Sequence, residues 1–430
     1  MRRFDDGGDI VIIGGGAAGL MAAGAAAARG RRVILLEKND RVGRKLGITG
    51  KGRCNLTNSC STEDVLKNLP SNGRFLYSAL SAFTPDDTMS FFRALGVELK
   101  TERGNRVFPV SDKASDIVRA LERNAKKHGA EIVSRRALSI ETEGGAVRAV
   151  NAEGGIYSCG CVLLATGGKT YSATGSDGWG YREAERLGHT VTFLRPSLVP
   201  LTAAGDTCAR MQGLSLRNTG LTAYDERGKR IYSDFGELLF THYGISGPMV
   251  LSLSARLGDF DRHKFSVILD LKPALDEDKL DKRILRDFEE NQNKALKHSL
   301  DALLPKSAIP VVIDMAGIDP DKKTNSVTRE ERRRLMETIK GLRIEITGAR
   351  PMEEGIITSG GVSVKEIDPS TMQSKLVRGL FFAGEIIDVD GYTGGFNLQI
   401  AWSTAQAAAR GMDAYMAAKE EKARLVDEKQ

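Results

Sequence analysis

Short apolar runs and a small-residue segment alternate at the start of the chain. Residues 9–13 (DIVII) and 33–37 (VILLE) have the nearly uninterrupted apolar character of strands buried in a parallel sheet. Between them, the alanine-rich segment 17–29 predicts a helix that ends at Gly30. The pattern therefore predicts a βαβ unit at the N-terminus.

Further along the chain, the pattern of apolar and polar residues changes twice. It predicts helices over 85–95 and 114–128 and strands over 131–141 and 146–166, and from about 191 it becomes short, alternating and punctuated by glycine, which is typical of a small barrel or sandwich. We therefore expect a Rossmann-like α/β domain built from both chain ends, with an inserted β-barrel domain that carries a helical subinsertion. The boundaries that we expect are 1–190 and 356–430 for the α/β domain, 191–272 and 342–355 for the barrel, and 273–341 for the helical insert.

The helical insert is the segment poorest in glycine. Residues 273–340 contain one glycine and 14 basic and 14 acidic side chains, and Leu280, Ile284 and Phe288 recur on one helical face. The Gly-rich pattern then returns, and the segment 397–416 predicts a final helix.

Glycine is the composition's outlier, since it accounts for 47 of 430 residues. Three segments, 7–52, 160–188 and 355–411, hold 28 of these glycines. No Gly-X-Y period accompanies them, which excludes a collagen-like chain. Clustered glycine indicates backbone placed close to another group.

Charge and cysteine content narrow the class of protein. Lys and Arg number 62 against 56 Asp and Glu, and the basic residues are scattered, so we expect a solvated surface without a nucleic-acid or membrane patch. The uncharged run 10–28 is broken by three glycines, and we interpret it as strand and helix, not as a membrane span. Five irregularly spaced cysteines favour reduced thiols and a cytoplasmic location, and no Cys/His cluster has metal-ligand spacing.

The first chemical motif follows the first predicted strand. Gly14, Gly16 and Gly19 have the spacing GxGxxG, and Glu37 ends the next strand. The first glycine permits the tight turn, the second lets the backbone approach a pyrophosphate, and the third lets helix and sheet pack closely. A carboxylate at position 37 suits a ribose hydroxyl. The motif predicts a dinucleotide site.

The loop 43–58 (GRKLGITGKGRCNLTN) mixes four glycines with basic residues and directly follows the predicted ribose-binding strand. We interpret it as a loop that wraps an anionic cofactor, with a flexible surface loop as the alternative. Cys54 and Cys60 raise the hypothesis of a redox disulfide. Their spacing is one residue longer than CxxxxC, and we expect both thiols to be reduced.

Two further Gly-rich turns follow predicted buried strands. Leu164–Gly168 (LATGG) ends one, and the segment 379–411 carries Gly384-Glu385 and a turn that leads into the last helix. The start of that helix, near Asn397, offers free N–H groups to an electron-rich group.

Together these motifs resemble flavoproteins of the glutathione reductase superfamily. More narrowly, the chain resembles the bacterial BaiN-type family of NAD(P)/FAD-dependent oxidoreductases, which includes enzymes described as aminoacetone oxidases. This narrower resemblance rests on four segments, RKLGITGKGRCNLTN, FTHYGISGP, TSGGVSVKEIDPSTMQSK and FFAGEIIDVDGYTGGFNLQIAWSTA.

The resemblance implies tightly bound, non-covalent FAD and a set of residues that contact it. The ADP half would lie on Gly14, Gly16, Ala18, Glu37, Lys38 and Ala137, with Gly19 packing the helix. The pyrophosphate and flavin would lie along Arg44, Lys45, Gly50, Cys54 and Asn55. Thr166 and Gly167 would contact the adenosine side. The ribityl chain and the pyrimidine edge of the flavin would contact Gly384, Glu385, Gly395, Phe396, Asn397 and Leu398.

No second GxGxxG follows a predicted strand. A separate NAD(P)H domain is therefore not expected, and NAD(P)H would dock transiently at the flavin. The alternative is that the substrate reduces the flavin and oxygen reoxidises it.

Four side chains are candidates for acid–base or substrate-binding roles. His242 lies in a Gly/Pro-bounded loop, Tyr243 and Tyr392 are candidate proton donors, and Arg53 is a candidate clamp for a carbonyl or carboxylate oxygen. Each has a structural alternative: a turn contact for His242, packing for the tyrosines and phosphate pairing for Arg53.

The reaction expected from the resemblance is NAD(P)H-supported reduction of a C=C bond conjugated to a carbonyl, on a small steroid- or bile-acid-like molecule. The alternative is an amine oxidase that acts on a small amino ketone and produces hydrogen peroxide. An RNA-modifying flavoprotein and a non-enzymatic flavin-binding module are more distant alternatives. The sequence leaves the oligomeric state open.

Overall fold

The computed structural model describes residues 3–4, 9–258, 260 and 262–427. They form two compact units, one from the residues up to Pro196 together with those from Gly355 onward, and one from Ser197–Glu354. The strands, in chain order, are β1 (Arg3–Phe4), β2 (Ile10–Ile13), β3 (Val33–Glu37), β4 (Thr57–Asn58), β5 (Leu99–Glu102), β6 (Arg106–Pro109), β7 (Glu131–Ser134), β8 (Ala137–Glu143), β9 (Ala146–Ala152), β10 (Gly155–Ser158), β11 (Cys161–Leu164), β12 (Arg195–Ser197), β13 (Leu201–Ala203), β14 (Ser215–Asp225), β15 (Arg230–Thr241), β16 (Gly244–Ser246), β17 (Phe265–Asp270), β18 (Leu342–Ala349), β19 (Ile357–Ser359) and β20 (Leu380–Phe382).

The helices are distributed over both units. In chain order they are α1 (Ala17–Ala27), α2 (Arg44–Ile48), α3 (Thr62–Lys67), α4 (Tyr77–Ala82), α5 (Pro85–Ala94), α6 (Ala114–Lys127), α7 (Trp179–Arg186), α8 (Thr207–Arg210), α9 (Pro248–Ser254), α10 (Glu277–Glu290), α11 (Ile309–Met315), α12 (Arg329–Lys340) and α13 (Phe396–Asp427).

A five-stranded parallel sheet forms the centre of the first unit, in the order β20-β11-β2-β3-β7. Its middle strands are buried along their whole length, as their uninterrupted apolar runs predict. Strands from both chain ends pair through β11, where Val162 lies opposite Leu380. The prediction of an α/β domain assembled from both ends of the chain is therefore confirmed.

Small residues let α1 pack closely on three sides. A Cβ at Gly24 would press on the Asn124 side chain of α6, and one at Gly19 would overlap the Gly14 carbonyl. The helix α13 also packs against α1. This close packing explains why α1 is rich in alanine and buried on nearly every face.

Two smaller sheets and a long helix also belong to this unit. The sheets run β1-β10-β9-β8 and β4-β6-β5. The last helix continues to Asp427, so the expected end at 416 was wrong. Its additional turns are rich in exposed Lys, Glu and Arg, which favour helix without an apolar stripe. The pattern also missed the short helices α3 and α4.

The second unit is a closed antiparallel barrel in the order β13-β16-β15-β14-β17-β18. The helices α10–α12 lie between β17 and β18 in the chain and share one apolar core with the barrel, including Leu280, Ile284, Leu335 and Ile339. The expected barrel with a helical subinsertion is confirmed.

Candidate functional site

The turn between β2 and α1 needs glycine at its first position. Gly14 has φ +106°, and a Cβ there would lie 2.5 Å from the Ala165 carbonyl oxygen. Its N–H donates to the Leu36 carbonyl at 2.9 Å, so the turn is held against the neighbouring strand. Any larger residue would force these strand ends apart.

Gly16 is different, because space surrounds it. A Cβ at this position would meet no protein atom within 4 Å, and its φ of −82° is open to any residue. Gly16 is also the N-cap of α1 and provides no side-chain cap. No side chain caps the first N–H groups of α1, and the positive end of the helix dipole beside the open space at Gly16 suits a phosphate.

Glu37 ends β3 beside this turn and is 8% exposed. Its Oε2 accepts from the Gly15 N–H at 2.8 Å, and its Oε1 accepts from the Asn39 backbone N–H at 2.9 Å. The neighbouring Lys38 pairs with Asp177, with Nζ and Oδ2 2.7 Å apart. The carboxylate is thus oriented by backbone donors at the carboxyl end of the sheet.

The loop after β3 forms α2 and a tight 3₁₀ turn. Gly50, Lys51 and Cys54 all have positive φ, between 57° and 60°. Leu46 anchors the loop in the core, while Arg44 Nη1 donates to the Asn39 side-chain oxygen at 3.0 Å. These contacts hold the first part of the loop, and the positive φ values give its second part a defined turn.

Lys45 connects this loop to the turn after β20. Its Nζ lies 3.0 and 2.7 Å from the two Glu385 carboxylate oxygens and 2.9 Å from Thr170 Oγ1. Glu385 Oε1 also accepts from the Thr358 N–H at 2.9 Å. Four separate chain segments of one unit therefore meet in a single charge-assisted network.

Two buried side-chain oxygens near these turns have no hydrogen-bond partner in the described part of the chain. They are Thr166 Oγ1, directly after β11, and Asn55 Oδ1, in the loop after α2. Buried polar atoms are normally paired, because an unpaired one costs about 1–3 kcal/mol. Both atoms are therefore suited to a polar ligand, and both belong to the residues that sequence reasoning assigned to a cofactor.

The start of α13 is shaped by glycines and by its own side chain. A Cβ at Gly395 would overlap the Thr57 carbonyl, and φ there is +98°. The Asn397 side chain accepts from the Gly391 N–H at 2.9 Å and donates to the Gly391 carbonyl at 2.7 Å. With its side chain occupied, Asn397 has only its backbone N–H to offer a ligand, and Leu398 likewise offers an N–H of the first turn.

The other sequence-predicted cofactor residues lie in the same unit. Ala18 is buried in α1, Gly384 has φ +77° and contacts Ala18, and Gly167 has φ +71° beside Ser176. Ala137 is buried at the first position of β8, in the four-stranded sheet.

The candidate acid–base and clamp residues fall into two groups. Arg53 lies in the first unit with its guanidinium against Glu102 and Asp112 and 4.2 Å from the Phe108 ring centroid. Tyr392 is half-buried in the turn before α13, where its N–H donates to the Asn68 carbonyl. His242 and Tyr243 lie in the second unit.

His242 and Tyr243 form the turn between β15 and β16. Their rings meet edge to face with centroids 4.9 Å apart. The Arg350 guanidinium lies 4.4 Å from the Tyr243 ring centroid and pairs with Glu354. Sequence reasoning named the first two residues and missed Arg350 and Glu354, which are more than 100 positions away.

Other members of the network were also missed. Thr170, Thr358 and Asn39 carry no motif of their own, although Thr358 lies inside the quoted segment TSGGVSVKEIDPSTMQSK. Polar residues at the ends of predicted buried strands are the signal that finds them, since those ends meet at one edge of a parallel sheet.

All five cysteines are free thiols. Burial raises the pKa of Cys54 to about 12, and burial with the nearby Asp64 charge raises the pKa of Cys60 to about 11. Both groups are therefore neutral thiols near neutral pH, as expected from their sequence context. Among the described residues no His/Cys/Asp/Glu group has the geometry of a metal site. No helix in the described ranges combines the length and apolar character of a membrane span.

Comparison with known families identifies the family to which this chain belongs. The family described as HI0933-like protein Rossmann domain matches residues 8–411. The chain belongs to this family. As an HI0933-like protein, it is an FAD-dependent oxidoreductase, which confirms the resemblance inferred from the motifs.

Two relatives of this HI0933-like chain have names that describe a reaction. The 3-dehydro-bile acid Δ(4,6)-reductase of Clostridium scindens is 31% identical over 385 residues, which are 88% of this chain and 92% of the relative. The ribosomal RNA dihydrouridine synthase of Haemophilus influenzae is 33% identical over 386 residues, with the same shares covered.

Solved structures show that the fold is shared more widely. The 3-ketosteroid Δ4-(5α)-dehydrogenase of Rhodococcus jostii, in complex with 4-androstene-3,17-dione, superposes with a TM-score of 0.50 at 17% identity. The match covers 96% of this chain and 98% of that one.

The residues of the first unit fit FAD. The open space at Gly16 and the uncapped α1 suit a pyrophosphate, and the unpaired Thr166 and Asn55 oxygens suit a polar ligand. The buried Glu37 carboxylate suits a ribose hydroxyl. These are features of the protein alone, and they agree with the cofactor of the family.

Proposed function

We propose that this protein reduces a C=C bond conjugated to a carbonyl group, with NAD(P)H as the source of electrons and FAD as the bound cofactor. The observation that carries the proposal is the pair of names given to the two relatives. A Δ(4,6)-reductase of a 3-dehydro bile acid and a dihydrouridine synthase differ in substrate, yet both names describe saturation of a C=C bond in conjugation with a carbonyl.

When bound, FAD supplies the two-electron chemistry, accepting a hydride from the reductant and giving one to carbon. The protein's own residues supply binding and orientation. We assign the phosphates to the N–H groups at the start of α1 and a ribose to Glu37. We assign the pyrimidine edge of the flavin to the N–H groups of Asn397 and Leu398, where the helix dipole favours negative charge.

The Lys45–Glu385 pair has a separate role in this proposal. Lys45 Nζ contacts both Glu385 carboxylate oxygens and the Thr170 hydroxyl, so these contacts fix the position of the ammonium group. A fixed cation and a fixed carboxylate at the edge of the sheet would help to hold the cofactor there. The unpaired oxygen of Thr166 would serve the adenosine side of the cofactor, and that of Asn55 would serve the pyrophosphate and flavin.

As substrate we propose a small, flat enone of the steroid or bile-acid class. A uracil base in RNA is the second candidate, because it presents the same conjugated C=C–C=O group and because one relative is named for that reaction. The amine oxidase expected as an alternative from the sequence would differ in that its substrate alone reduces the flavin.

An anaerobic titration of the FAD-loaded protein tests the proposal. NADH or NADPH should bleach the flavin absorbance, and a 3-oxo-Δ4 or 3-oxo-Δ4,6 steroid should restore it with the steroid gaining two hydrogens by mass. A ribosomal RNA transcript run in parallel identifies the second substrate class by formation of dihydrouridine.

Two results would contradict the proposal. Bleaching by aminoacetone alone, with peroxide on admission of air, would establish the oxidase instead. A flavin reduced by NAD(P)H that neither substrate class reoxidises would remove the proposed reaction. Arg343→Gln, at an exposed strand position of the second unit, serves as a control variant that should behave like wild type in these assays.

A further inference from the structure

An open cleft lies in the first unit, where α3 ends and the chain turns into α4. Its volume is about 520 Å³, and the residues that line it lie between positions 66 and 77. Binding sites for small molecules usually measure about 300–1,000 Å³. None of the motifs found in the sequence covers this segment, so the cleft is a feature of the fold alone.

The wall of the cleft is mainly apolar. Leu66, Leu69, Pro70 and Tyr77 contribute to it. Leu69 is buried, Leu66 is half-buried, and Tyr77 is 61% exposed, which is high for a large aromatic side chain. An exposed ring beside aliphatic side chains suits the flat face of an apolar ring system.

Hydrogen bonds fix the shape of this cleft. Asn72 has φ +52°, and its Nδ2 donates to the Asp388 carbonyl at 2.7 Å. The Ser71 hydroxyl donates to Asp390 Oδ1 at 3.0 Å, and the Phe75 N–H donates to the Asn72 carbonyl at 3.0 Å. The protein's own contacts therefore hold the cleft in shape.

The cleft lies against the turn that leads into α13. A Cβ at Gly391 would be 3.1 Å from Leu69 Cδ2, and the Tyr392 N–H donates to the Asn68 carbonyl at 3.0 Å. Gly391 is also held by the Asn397 side chain, and we assign the Asn397 N–H to the flavin. A ligand in the cleft would therefore lie beside the turn that carries this cofactor contact.

Arg74 supplies the positive charge of the cleft. Its side chain is exposed and forms no ion pair or side-chain hydrogen bond within the described part of the chain. The carboxylates of Asp388 and Asp390 lie behind the neighbouring Asn72 and Ser71. One unpaired guanidinium suits one carboxylate, whereas the several phosphate charges of a dinucleotide or an RNA would meet two aspartates behind a single cation. Charge complementarity therefore favours a ligand with one carboxylate.

We propose that this cleft binds a steroid-like carboxylate, the substrate class of the proposed reaction. The ring skeleton would lie on Leu66, Leu69 and Tyr77. The carboxylate would pair with the Arg74 guanidinium. The inference rests on the proposed function, which supplies the ring skeleton, and it narrows the substrate from flat enones in general to bile-acid-like carboxylates. Arg74 is in this view a specificity residue that takes no part in the redox chemistry.

Binding of an unreactive ligand tests the inference without turnover. The oxidised, FAD-loaded protein is titrated by calorimetry with a saturated 3-oxo bile acid, below its micelle concentration, and with the methyl ester of the same molecule. Wild type should bind the acid about fivefold more tightly than the ester, as expected for a partly exposed charge pair. Added salt should reduce this preference, because it screens the pair.

Variants of the cation assign the preference to one residue. Arg74→Gln should bind acid and ester equally, with its ester affinity unchanged, and Arg74→Lys should keep part of the preference. The matched control is Lys67→Gln, which removes an exposed cation that pairs with Asp64 and lies outside the residues lining the cleft. It should keep the full preference. Equal affinity for acid and ester in wild type, no binding of either, or an unchanged preference in Arg74→Gln would overturn the inference.

The apolar wall is tested by Tyr77→Ala. This variant removes an exposed ring and should weaken the binding of acid and ester alike, about fivefold, since the ring contact does not depend on the charge of the ligand. An unchanged affinity for both ligands would place the ring skeleton elsewhere and would contradict the proposed site.

Turnover gives a second readout and identifies other occupants. For a 3-oxo-Δ4 bile acid, Arg74→Gln should raise KM about fivefold with kcat unchanged, and for a neutral 3-oxo-Δ4 steroid it should change neither. Displacement of the bound acid by NADP⁺ or by the RNA transcript, with their affinity lowered in Arg74→Gln, would assign the cleft to a phosphate-bearing ligand instead and overturn the inference.

Failure of the inference and failure of the proposed function give different results. If wild type reduces an enone but does not prefer the acid in binding, only the inference fails. If the acid binds with the expected dependence on Arg74 and neither substrate class is reduced, the proposed function fails, while the cleft remains a site for a steroid-like carboxylate. FAD content and the unfolding midpoint of every variant establish that it is folded before it is compared.

Discussion

Lys45 and Glu385 are 340 positions apart in the chain, yet their Nζ and Oε2 atoms are 2.7 Å apart. The pair joins the loop after β3 to the turn after β20, at the edge where the parallel strands end. Only about one fifth of either side chain is exposed. The contact therefore closes the cofactor edge of the first unit with a charge-assisted bond that spans almost the whole sequence.

We expect Lys45→Met to weaken FAD binding roughly tenfold, because Glu385 would be left without its cation at the cofactor edge. Equilibrium titration of apoprotein with FAD, followed by flavin fluorescence, measures the change. Lys67→Met is the control, since Lys67 pairs with Asp64 on an exposed helix. An unchanged FAD affinity in Lys45→Met would show that the pair serves the fold alone.

Gly14→Ala and Gly16→Ala should fail in different ways. Alanine at position 14 has a strained φ and a Cβ against the Ala165 carbonyl, so the apoprotein should lose stability. Alanine at position 16 meets no protein atom, so apoprotein stability should be kept while FAD affinity falls at least tenfold. Thermal melts of apoprotein and FAD titrations give both quantities. Wild-type FAD affinity in Gly16→Ala would place the pyrophosphate elsewhere.

Thr166→Val replaces an unpaired buried hydroxyl with a methyl group. The apoprotein should be as stable as wild type or more stable, because no hydrogen bond is lost, whereas FAD affinity should fall by about 1 kcal/mol or more. Thr88→Val is the matched control, since Thr88 Oγ1 donates to Gln399 at 2.9 Å. That control should lose stability instead. Lower apoprotein stability in Thr166→Val would mean that the hydroxyl has a structural partner.

The thiols of Cys54 and Cys60 should react slowly with iodoacetamide at pH 8. Their pKa values are raised to about 12 and about 11, so only about one thiol in a thousand, or fewer, is ionised. Both should alkylate fast after unfolding in guanidinium. The double variant Cys54→Ala/Cys60→Ala should keep flavin reduction by NAD(P)H. Rapid labelling of the native protein, or loss of flavin reduction, would revive the redox-disulfide hypothesis.

We expect His189 to make the protein less stable in acid. It is 3% exposed, its Nε2 lies 2.7 Å from Ser374 Oγ, and burial lowers its pKa from 6.5. Below about pH 6.5 the unfolded chain takes up a proton at this histidine more readily than the folded protein does. The free energy of unfolding is therefore not reduced by His189 above that pH, and it falls as the pH drops towards the folded pKa. The slope contributed is at most about 1.4 kcal/mol per pH unit.

Urea unfolding between pH 5 and pH 7 measures this slope. His189→Gln should flatten it, and His128→Gln, an exposed helix-end residue, should leave it unchanged. An identical slope in wild type and His189→Gln would assign the acid sensitivity to other groups.

The sequence alone determined the first unit to a large extent. Apolar runs such as residues 33–37 and the small-residue run of α1 have only one stable environment, a buried strand and a closely packed helix. Glycine spacing identified the turn at Gly14–Gly16, because local backbone geometry is encoded locally. The same logic failed for the end of α13, where exposed charged helix formers carry no periodic apolar signal.

Tertiary structure decided what no local pattern encodes. The bond from Lys45 to Glu385 and the stacking of Arg350 on Tyr243 join residues whose neighbours in the chain give no sign of each other. Such contacts depend on strand order and on closure of the barrel, which bring distant loop ends to one edge. The sequence therefore determined which residues are chemically capable of binding or catalysis. The fold decided which of them lie close together, because proximity across a sheet is set by topology and not by spacing along the chain.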